Sequence, residues 1–432
     1  MESRLNKAGI VNREYEGGKQ LKKTGISLVT AVFLVGALTG TNVSADLETE
    51  GRMHKVKTGV DILIAEEKDL LKGKKVGLIT NPTGVNADLT SSVDLLHEEF
   101  ELTALYGPEH GVRGDAQAGE YVDFYIDEKT GLPVYSLYGK TRKPTPEMLE
   151  NVEALVFDIQ DIGTRYYTYI STMAYAMEAA KENDIPFIVL DRPNPIGGKS
   201  IDGPVLETEF SSFIGLYPIP LRHGMTAGEL AALFNEEFGI AADLTVVKMK
   251  GWRRSMNFDD TGLPFILPSP NMPTVNSTFV YPATGLIEGT NLSEGRGTTK
   301  PFELIGAPFI NSTELAEQLN NLYLPGVRFR AASFTPSFSK HSGKLSHGVE
   351  VFVTDRDKFK PTETGLHIIK TIHDLYPDDF KFLENGHFNL LMGNDWVQAM
   401  IKNGASVEEI VSNYENGKKD FMKVRKKYLL YN

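Results

Sequence analysis

Three short segments of this 432-residue chain set carboxylates beside histidine, arginine or asparagine in turn-like surroundings, and a fourth sets arginine beside histidine. Gly107-Pro-Glu-His-Gly111 holds Glu109 and His110, with Arg113 just beyond. Asp158-Ile-Gln-Asp-Ile-Gly-Thr-Arg165 holds Asp158, Asp161 and Arg165, and Asp191-Arg-Pro-Asn-Pro195 holds Asp191, Arg192 and Asn194. Arg222 and His223 precede Gly224-Met-Thr226. Paired carboxylates are suited to proton transfer and to holding hydroxyl groups, and arginine meets an anionic oxygen pair in a two-pronged geometry. Glu109, confined between Pro108 and His110 in what reads as a short strand-to-helix turn, is the candidate general acid; the plainer alternative is a helix-capping glutamate. For any single residue a turn or capping role is as good an explanation. Four such segments together argue for a site.

A second dense segment is Glu288-Gly-Thr-Asn-Leu-Ser-Glu-Gly-Arg-Gly-Thr-Thr-Lys300, which holds Asn291, Glu294 and Arg296. Its glycines allow close approach of backbone to a ligand, but the Gly-x-x-x-x-Gly-Lys-Ser/Thr spacing of a phosphate loop is absent. No Gly-x-Gly-x-x-Gly follows the first strand either, so no nucleotide cofactor is expected. Phe338-Ser-Lys-His341 adds His341, and Asp355-Arg356 offers an ion pair. No histidines stand at His-x-x-x-His spacing beside a glutamate, so no metal is expected. Trp252 suits either a sugar face or the core.

These segments sit where short strands end. Residues 75–79, 102–106, 154–157, 187–190 and 244–249 are apolar, β-branched runs, and helical patterns at 91–99, 166–183 and 226–237 separate them. Thr226 three residues before Glu229 forms a capping-box signature. Strands alternating with helices predict an α/β fold with a doubly wound parallel sheet. In such a sheet the ligand crevice lies outside the carboxyl ends of the strands, where Glu109, Asp158, Asp161 and Asp191 fall. Pro and Gly crowd after residue 262, and the domain boundary is placed near 251–268. Beyond it, helical patterns at 312–324, 362–375, 389–392 and 407–423 and strands at 327–334 and 349–353 predict a smaller α+β domain. The expected division is 1–45, 46–255 and 256–432.

Residues 1–45 read as a secretory signal. Lys19, Lys22 and Lys23 precede a short apolar run at 25–38, and Val43-Ser44-Ala45 ends in small residues. The run is short for a membrane span. The chain has no cysteine, which excludes disulfides, a thiolate nucleophile and a lipidated cysteine. A disulfide-free exported protein suits a Gram-positive bacterium, secreted or associated with the cell wall. Cleavage after Ala45 takes six of the 45 basic and three of the 57 acidic residues, leaving 39 and 54, a net −15. That argues against nucleic acid as a partner and against stable membrane insertion.

Taken together and in order, Gly107-Pro-Glu-His-Gly111, Asp158-Ile-Gln-Asp-Ile-Gly-Thr-Arg165, Asp191-Arg-Pro-Asn-Pro195, His223-Gly-Met-Thr226, Pro268-Ser-Pro-Asn-Met-Pro-Thr274, Glu288-Gly-Thr-Asn-Leu-Ser-Glu-Gly-Arg-Gly297 and Phe338-Ser-Lys-His341 resemble the motifs of the exo-β-N-acetylmuramidases of the NamZ type (glycoside hydrolase family 171). The resemblance spans essentially the whole chain after residue 45. It implies a Rossmann-like first domain, a smaller second domain closing a cleft, and release of N-acetylmuramic acid from the non-reducing ends of peptidoglycan-derived sugar chains in cell-wall turnover and recycling. Glycoside cleavage commonly uses two carboxylates. Glu109 is then the acid and Glu294 the second carboxylate, with Asp158 and Asp161 as rivals. His110, Arg113, Arg165, Asp191, Arg192, Asn194, His223, Asn291, Arg296 and His341 are the expected substrate-binding residues. The lactyl carboxylate of the sugar calls for one arginine among Arg113, Arg165, Arg192, Arg222 and Arg296. Two other classes fit the same residues: a metal-dependent hydrolase of a cell-wall sugar derivative using Asp158, Asp161, Asp191 and His110, and a non-catalytic muropeptide-binding protein. Hydrolysis of a chromogenic muramide is expected to survive exhaustive EDTA treatment; its loss, restored by a divalent metal, favours the metal-dependent class.

Overall fold

The computed structural model describes residues 56–114 and 124–432. The expected signal at 1–45 lies outside the described residues. Among them, the first half of the chain forms β1 (Lys75–Thr80), β2 (Glu101–Gly107), β3 (Tyr125–Ile126), β4 (Pro133–Ser136), β5 (Ala154–Asp158), β6 (Phe187–Leu190), β7 (Asp202–Val205), β8 (Pro220–Arg222) and β9 (Leu244–Val247). Seven of these make one sheet in the order β3-β4-β2-β1-β5-β6-β9, in which only β3 is antiparallel. β7 and β8 form a separate antiparallel ribbon. Counted along the chain, the six parallel strands run 3-2-1-4-5-6, the doubly wound order. The chain reverses its direction of travel between β1 and β5, so the crevice opens at the carboxyl ends of those two strands.

The sheet is covered on both faces, and the strand sequences show why. On β5, Ala154 and Val156 face one apolar cluster while Leu155 and Phe157 face the other; on β6, Ile188 and Leu190 oppose Phe187 and Val189. A strand with both alternating sets apolar is stable only between two layers. Helices Gly59–Glu66 and Ser92–Glu99 supply Val60, Leu63, Val93 and Leu96 to one side. Helices Tyr169–Glu182 and Ala227–Glu237 supply Met173, Met177, Leu230 and Phe234 to the other. The capping box expected at Thr226 and Glu229 is present.

In the second half, β10 (Leu304–Ala307), β11 (Val327–Phe334) and β12 (Ser346–Val353) form an antiparallel sheet in the order β10-β12-β11. Helices Ser312–Asn321, Pro361–Leu375, His387–Met392 and Val407–Arg425 match the four helical patterns read from the sequence. The apolar cluster on the Tyr169–Glu182 side continues into this half through Val280, Leu286, Phe302, Ile305 and Phe388. Among the described residues, no helix is long and apolar enough to cross a membrane.

The far end of the chain returns to the big sheet. The Tyr431 hydroxyl donates to Oδ2 of Asp191 at 2.6 Å and accepts from the Met249 amide at 3.0 Å. Asp191 also accepts from the Thr226 hydroxyl at 2.7 Å and the Gly228 amide at 2.8 Å, so one buried carboxyl joins the end of β6, a helix N-terminus and residue 431. Trp252 lies edge-on to Tyr431, 5.1 Å between ring centroids, and is buried; it belongs to the core and not to a sugar-stacking surface. Burial outweighs these hydrogen bonds and lifts the Asp191 carboxyl from its usual 3.8 to about 6. The unfolded chain therefore ionises Asp191 at lower pH than the fold does, and stability from this group is present below about pH 4 and lost as pH rises through about 6. Two pH units correspond to about 3 kcal/mol. In urea titrations at pH 4, 5, 6 and 7, Asp191→Asn should remove a stability decrease of that order; identical pH slopes in the two proteins would contradict this assignment.

Candidate active site

Glu109 follows β2 in a tight turn closed by a hydrogen bond from the Gly111 amide to the Pro108 carbonyl at 3.0 Å. His110, in the third position, has φ +76°. That conformation is normally left to glycine in such a turn, and strain of this kind gathers at functional sites. The described residues beyond Gly111 begin no helix here, which corrects the expected strand-to-helix turn and removes the capping explanation of Glu109. Among the described residues, Thr168 Oγ1 lies 3.5 Å from the Glu109 carboxylate. Burial together with the Glu109 charge pushes the Tyr138 phenol up to about 12. Tyr167, raised mainly by burial, also feels the charges of Glu109 and Asp161.

Asp161 stands beside this group on the loop after β5. Its Oδ2 accepts from the Gly163 amide at 2.7 Å, a turn that Gly163 completes at φ +84°. His223 Nε2 lies 3.4 Å from the same oxygen. His223 Nδ1 accepts from the Met225 amide at 3.2 Å, so the neutral ring carries its proton on Nε2, toward Asp161. Asp161 Oδ1 is buried with no protein hydrogen-bond partner, although Asp161 itself reaches the surface with 7 % exposure. A buried carboxylate oxygen left unpaired by protein is an acceptor awaiting a donor.

The second wall is the 288–296 segment. Glu294 is 2 % exposed. Its Oε1 lies 3.5 Å from Arg296 Nε and 3.5 Å from Ser339 Oγ, and its Oε2 lies 3.1 Å from Lys340 Nζ. Arg296 forks onto Glu288 Oε1 at 3.0 and 2.6 Å and lies over Phe302, 5.0 Å from the ring centroid. Gly297, at φ +79°, brings this segment against the 337–338 backbone, where a Cβ would lie 2.6 Å from the Phe338 nitrogen. The two walls meet. An edge-to-face aromatic series joins them, from Tyr167 to Tyr281 at 5.7 Å and on to Phe302 at 4.6 Å.

The structure draws Glu109, His110, Asp161, His223, Glu294 and Arg296 toward this cleft and gives other work to the remaining expected site residues. Asp158 is fully buried and clasps Arg192 through two bonds, Nε–Oδ1 at 2.6 Å and Nη2–Oδ2 at 2.8 Å, with the Ser92 hydroxyl as a further donor. It has no open oxygen for catalysis, and Arg192 spends its Nε and Nη2 on this pair and on the Val85 carbonyl. Arg165 donates to the carbonyls of Pro204, Ile219 and Leu391 deep in the protein, and burial lowers it to about 9. Arg222 is likewise buried, bonded to the Ile196 carbonyl, and lowered by burial to about 10. Arg113 pairs with Asp127 at 2.9 Å through both prongs. Asn194 bonds Met225 and Ile196 backbone, and Asn291 bonds Asp379 and Lys381 backbone. His341 meets the Asn291 carbonyl at 2.8 Å. Asp191 is the clasp described above. The Asp355–Arg356 pair does not form: Arg356 bonds Asp259, and Asp355 bonds Lys358. Among the described residues no group of three or more His, Asp or Glu is gathered as for a metal ion.

Tyr138, Tyr167, Thr168 and Lys340 were not singled out from the sequence. Tyrosines and threonines in a loop carry no charge signal, and the Tyr166-Tyr167 doublet resembles the start of the following helix. Lys340 stood beside His341 in a motif already noted.

Fold and site describe a doubly wound α/β protein with an acidic, tyrosine-lined cleft over its strand ends. The chain belongs to the exo-β-N-acetylmuramidase NamZ family: the N-terminal family model matches residues 76–276 and the C-terminal model residues 279–431. It is 67% identical over 414 residues to the peptidoglycan β-N-acetylmuramidase NamZ of Bacillus subtilis (strain 168), covering 95% of this chain and 100% of that one. Two crystal structures of DUF1343 family proteins from Bacteroides fragilis NCTC 9343 share the fold. One matches with TM-score 0.82 and 44% identity over 88% of this chain and 100% of its own; the other with TM-score 0.71 and 34% identity over 87% and 99%.

Asp158 serves stability, and its loss should show it. Asp158→Ala strands a buried guanidinium, which costs about 3–5 kcal/mol. Chemical denaturation should report a loss of that size; a change below 1 kcal/mol would mean that the pair is dispensable to the fold.

Proposed function

We propose that this chain is an exo-β-N-acetylmuramidase that releases N-acetylmuramic acid from the non-reducing ends of peptidoglycan fragments. The carrying observation is a run of contacts between two carboxylates: Glu109 lies 3.5 Å from Thr168 Oγ1, the adjoining Tyr167 leads through Tyr281 to Phe302, and Arg296 over Phe302 lies 3.5 Å from Glu294. Two carboxylates across a cleft are the working parts of a glycosidase. Family membership and the name of the Bacillus subtilis relative support the same reaction.

In this reading Glu109 protonates the leaving oxygen, and Tyr138 and Thr168 hold its carboxyl in place. Glu294, flanked by two cations, is the anionic partner that meets positive charge at the sugar carbon or prepares a water. Asp161, with His223 behind it, accepts a hydrogen bond from a hydroxyl or the acetamido N–H of the sugar. Arg296, beside Glu294 and over the Phe302 ring, supplies positive charge for the lactyl carboxylate. Residues 1–45 direct the chain out of the cell, and the enzyme works on the cell wall during its turnover.

The test uses the chain without residues 1–45, a chromogenic β-N-acetylmuramide and the matching glucosaminide. The muramide should be hydrolysed and the glucosaminide left intact. Glu109→Gln should fold normally and lose turnover on the order of 10²–10⁴-fold. No release from either substrate would overturn the hydrolase reading, and a near-normal rate in the variant would move the acid role elsewhere.

A further inference from the structure

Lys340 Nζ donates to the carbonyls of Ile287 at 3.0 Å, Glu288 at 3.2 Å and Leu292 at 3.0 Å. An ammonium has three protons, and these carbonyls take all of them. The nitrogen nevertheless lies 3.1 Å from Oε2 of Glu294, an oxygen with no protein hydrogen bond. Glu294 therefore receives the lysine's charge without receiving a proton donor. The backbone around Lys340 is forced as well. Ser339 at φ +67° and His341 at φ +57° flank it in the left-handed region. Non-glycine residues hold such angles where their surroundings impose them. The imposition is visible: His341 meets the Asn291 carbonyl from one side while Lys340 fills the turn from the other.

We infer that Lys340 is a positioning residue for the Glu294 carboxylate, wrapping the 287–292 turn around its ammonium so that Glu294 is held by charge while no donor among the described residues takes its buried Oε2 lone pairs. A lysine that bonded Glu294 directly would occupy those lone pairs, and a turn without the lysine would take the ammonium from the Glu288 and Leu292 carbonyls, while Ile287 keeps its Thr290 donors. The inference rests on Glu294 being the second carboxylate of the reaction.

The test is a double-variant cycle on the chromogenic muramide with the full mature enzyme. Lys340→Met should lower kcat on the order of 10–100-fold with KM within about twofold. Lys340→Arg, which keeps the charge, should recover part of that loss. Combined with Glu294→Gln, Lys340→Met should add less than about threefold, because its route to the reaction is already gone. Thermal melting checks that each variant folds, and Lys340→Gln replaces Lys340→Met if the latter does not. Full multiplication of the two losses, or a folded Lys340→Arg as slow as Lys340→Met, would overturn the inference while leaving Glu294 in its role. A Glu294→Gln enzyme with wild-type turnover would remove the assignment of Glu294 itself, and the inference with it.

Discussion

The buried pair of Asp158 and Arg192 is the constraint around which the strand ends are arranged. Neither ion can be left alone in the interior, where an unpaired charge is costly. Each therefore finds its partner here. Asp158 takes both prongs of Arg192 and the Ser92 hydroxyl, and Arg192 also reaches the Val85 carbonyl. The groups come from the loops after β1, β5 and β6 and from the helix that follows β1. One ion pair thus ties together the rim of the crevice at the place where the doubly wound sheet opens. Gln160 adds a second tie, donating to the Pro193 carbonyl at 2.6 Å.

With that rim rigid, the next residues along the same loop can be aimed. Asp161 follows Asp158 by three residues, turns at Gly163, and is left with one oxygen that no protein group satisfies. Glu109 is aimed by a strained turn after β2, two strands away across β1. The opposite wall uses a different device, a glycine-rich segment wound around a lysine. Both walls hold a carboxylate in an enforced conformation, and Tyr167 and Tyr281 connect them through ring contacts without adding charge.

Much of this was legible in the sequence. The parallel strands, their alternation with helices and the capping box at Thr226 were carried by hydrophobic period and by one polar signature. β3, β4, β10 and the β7–β8 ribbon were not, because two- to four-residue strands containing glycine or proline have no period to read. The rich loops were correctly seen as special, but charge in a loop has two uses. Glu109, Asp161 and Glu294 are placed at the cleft, whereas Asp158, Arg165, Asp191, Arg192 and Arg222 are buried and paired with main chain or with one another. Sequence spacing does not distinguish these, since the difference lies in which partners folding brings to each side chain. Tyr138 escaped notice because its significance comes entirely from its neighbours.

The clasp between Asp191 and Tyr431 joins groups 240 residues apart. Such a contact forms late, since the entropy of closing so large a loop is met only when most of the fold already exists. Until then Asp191 at the end of β6 lacks a partner that it has in the finished protein, and Leu430 has yet to reach Glu229. A chain emerging from its amino end can build its strands in order, but the far side of the sheet stays unsealed until residues 430 and 431 arrive. The big sheet is in this sense the first part of the molecule to be written and among the last to be finished.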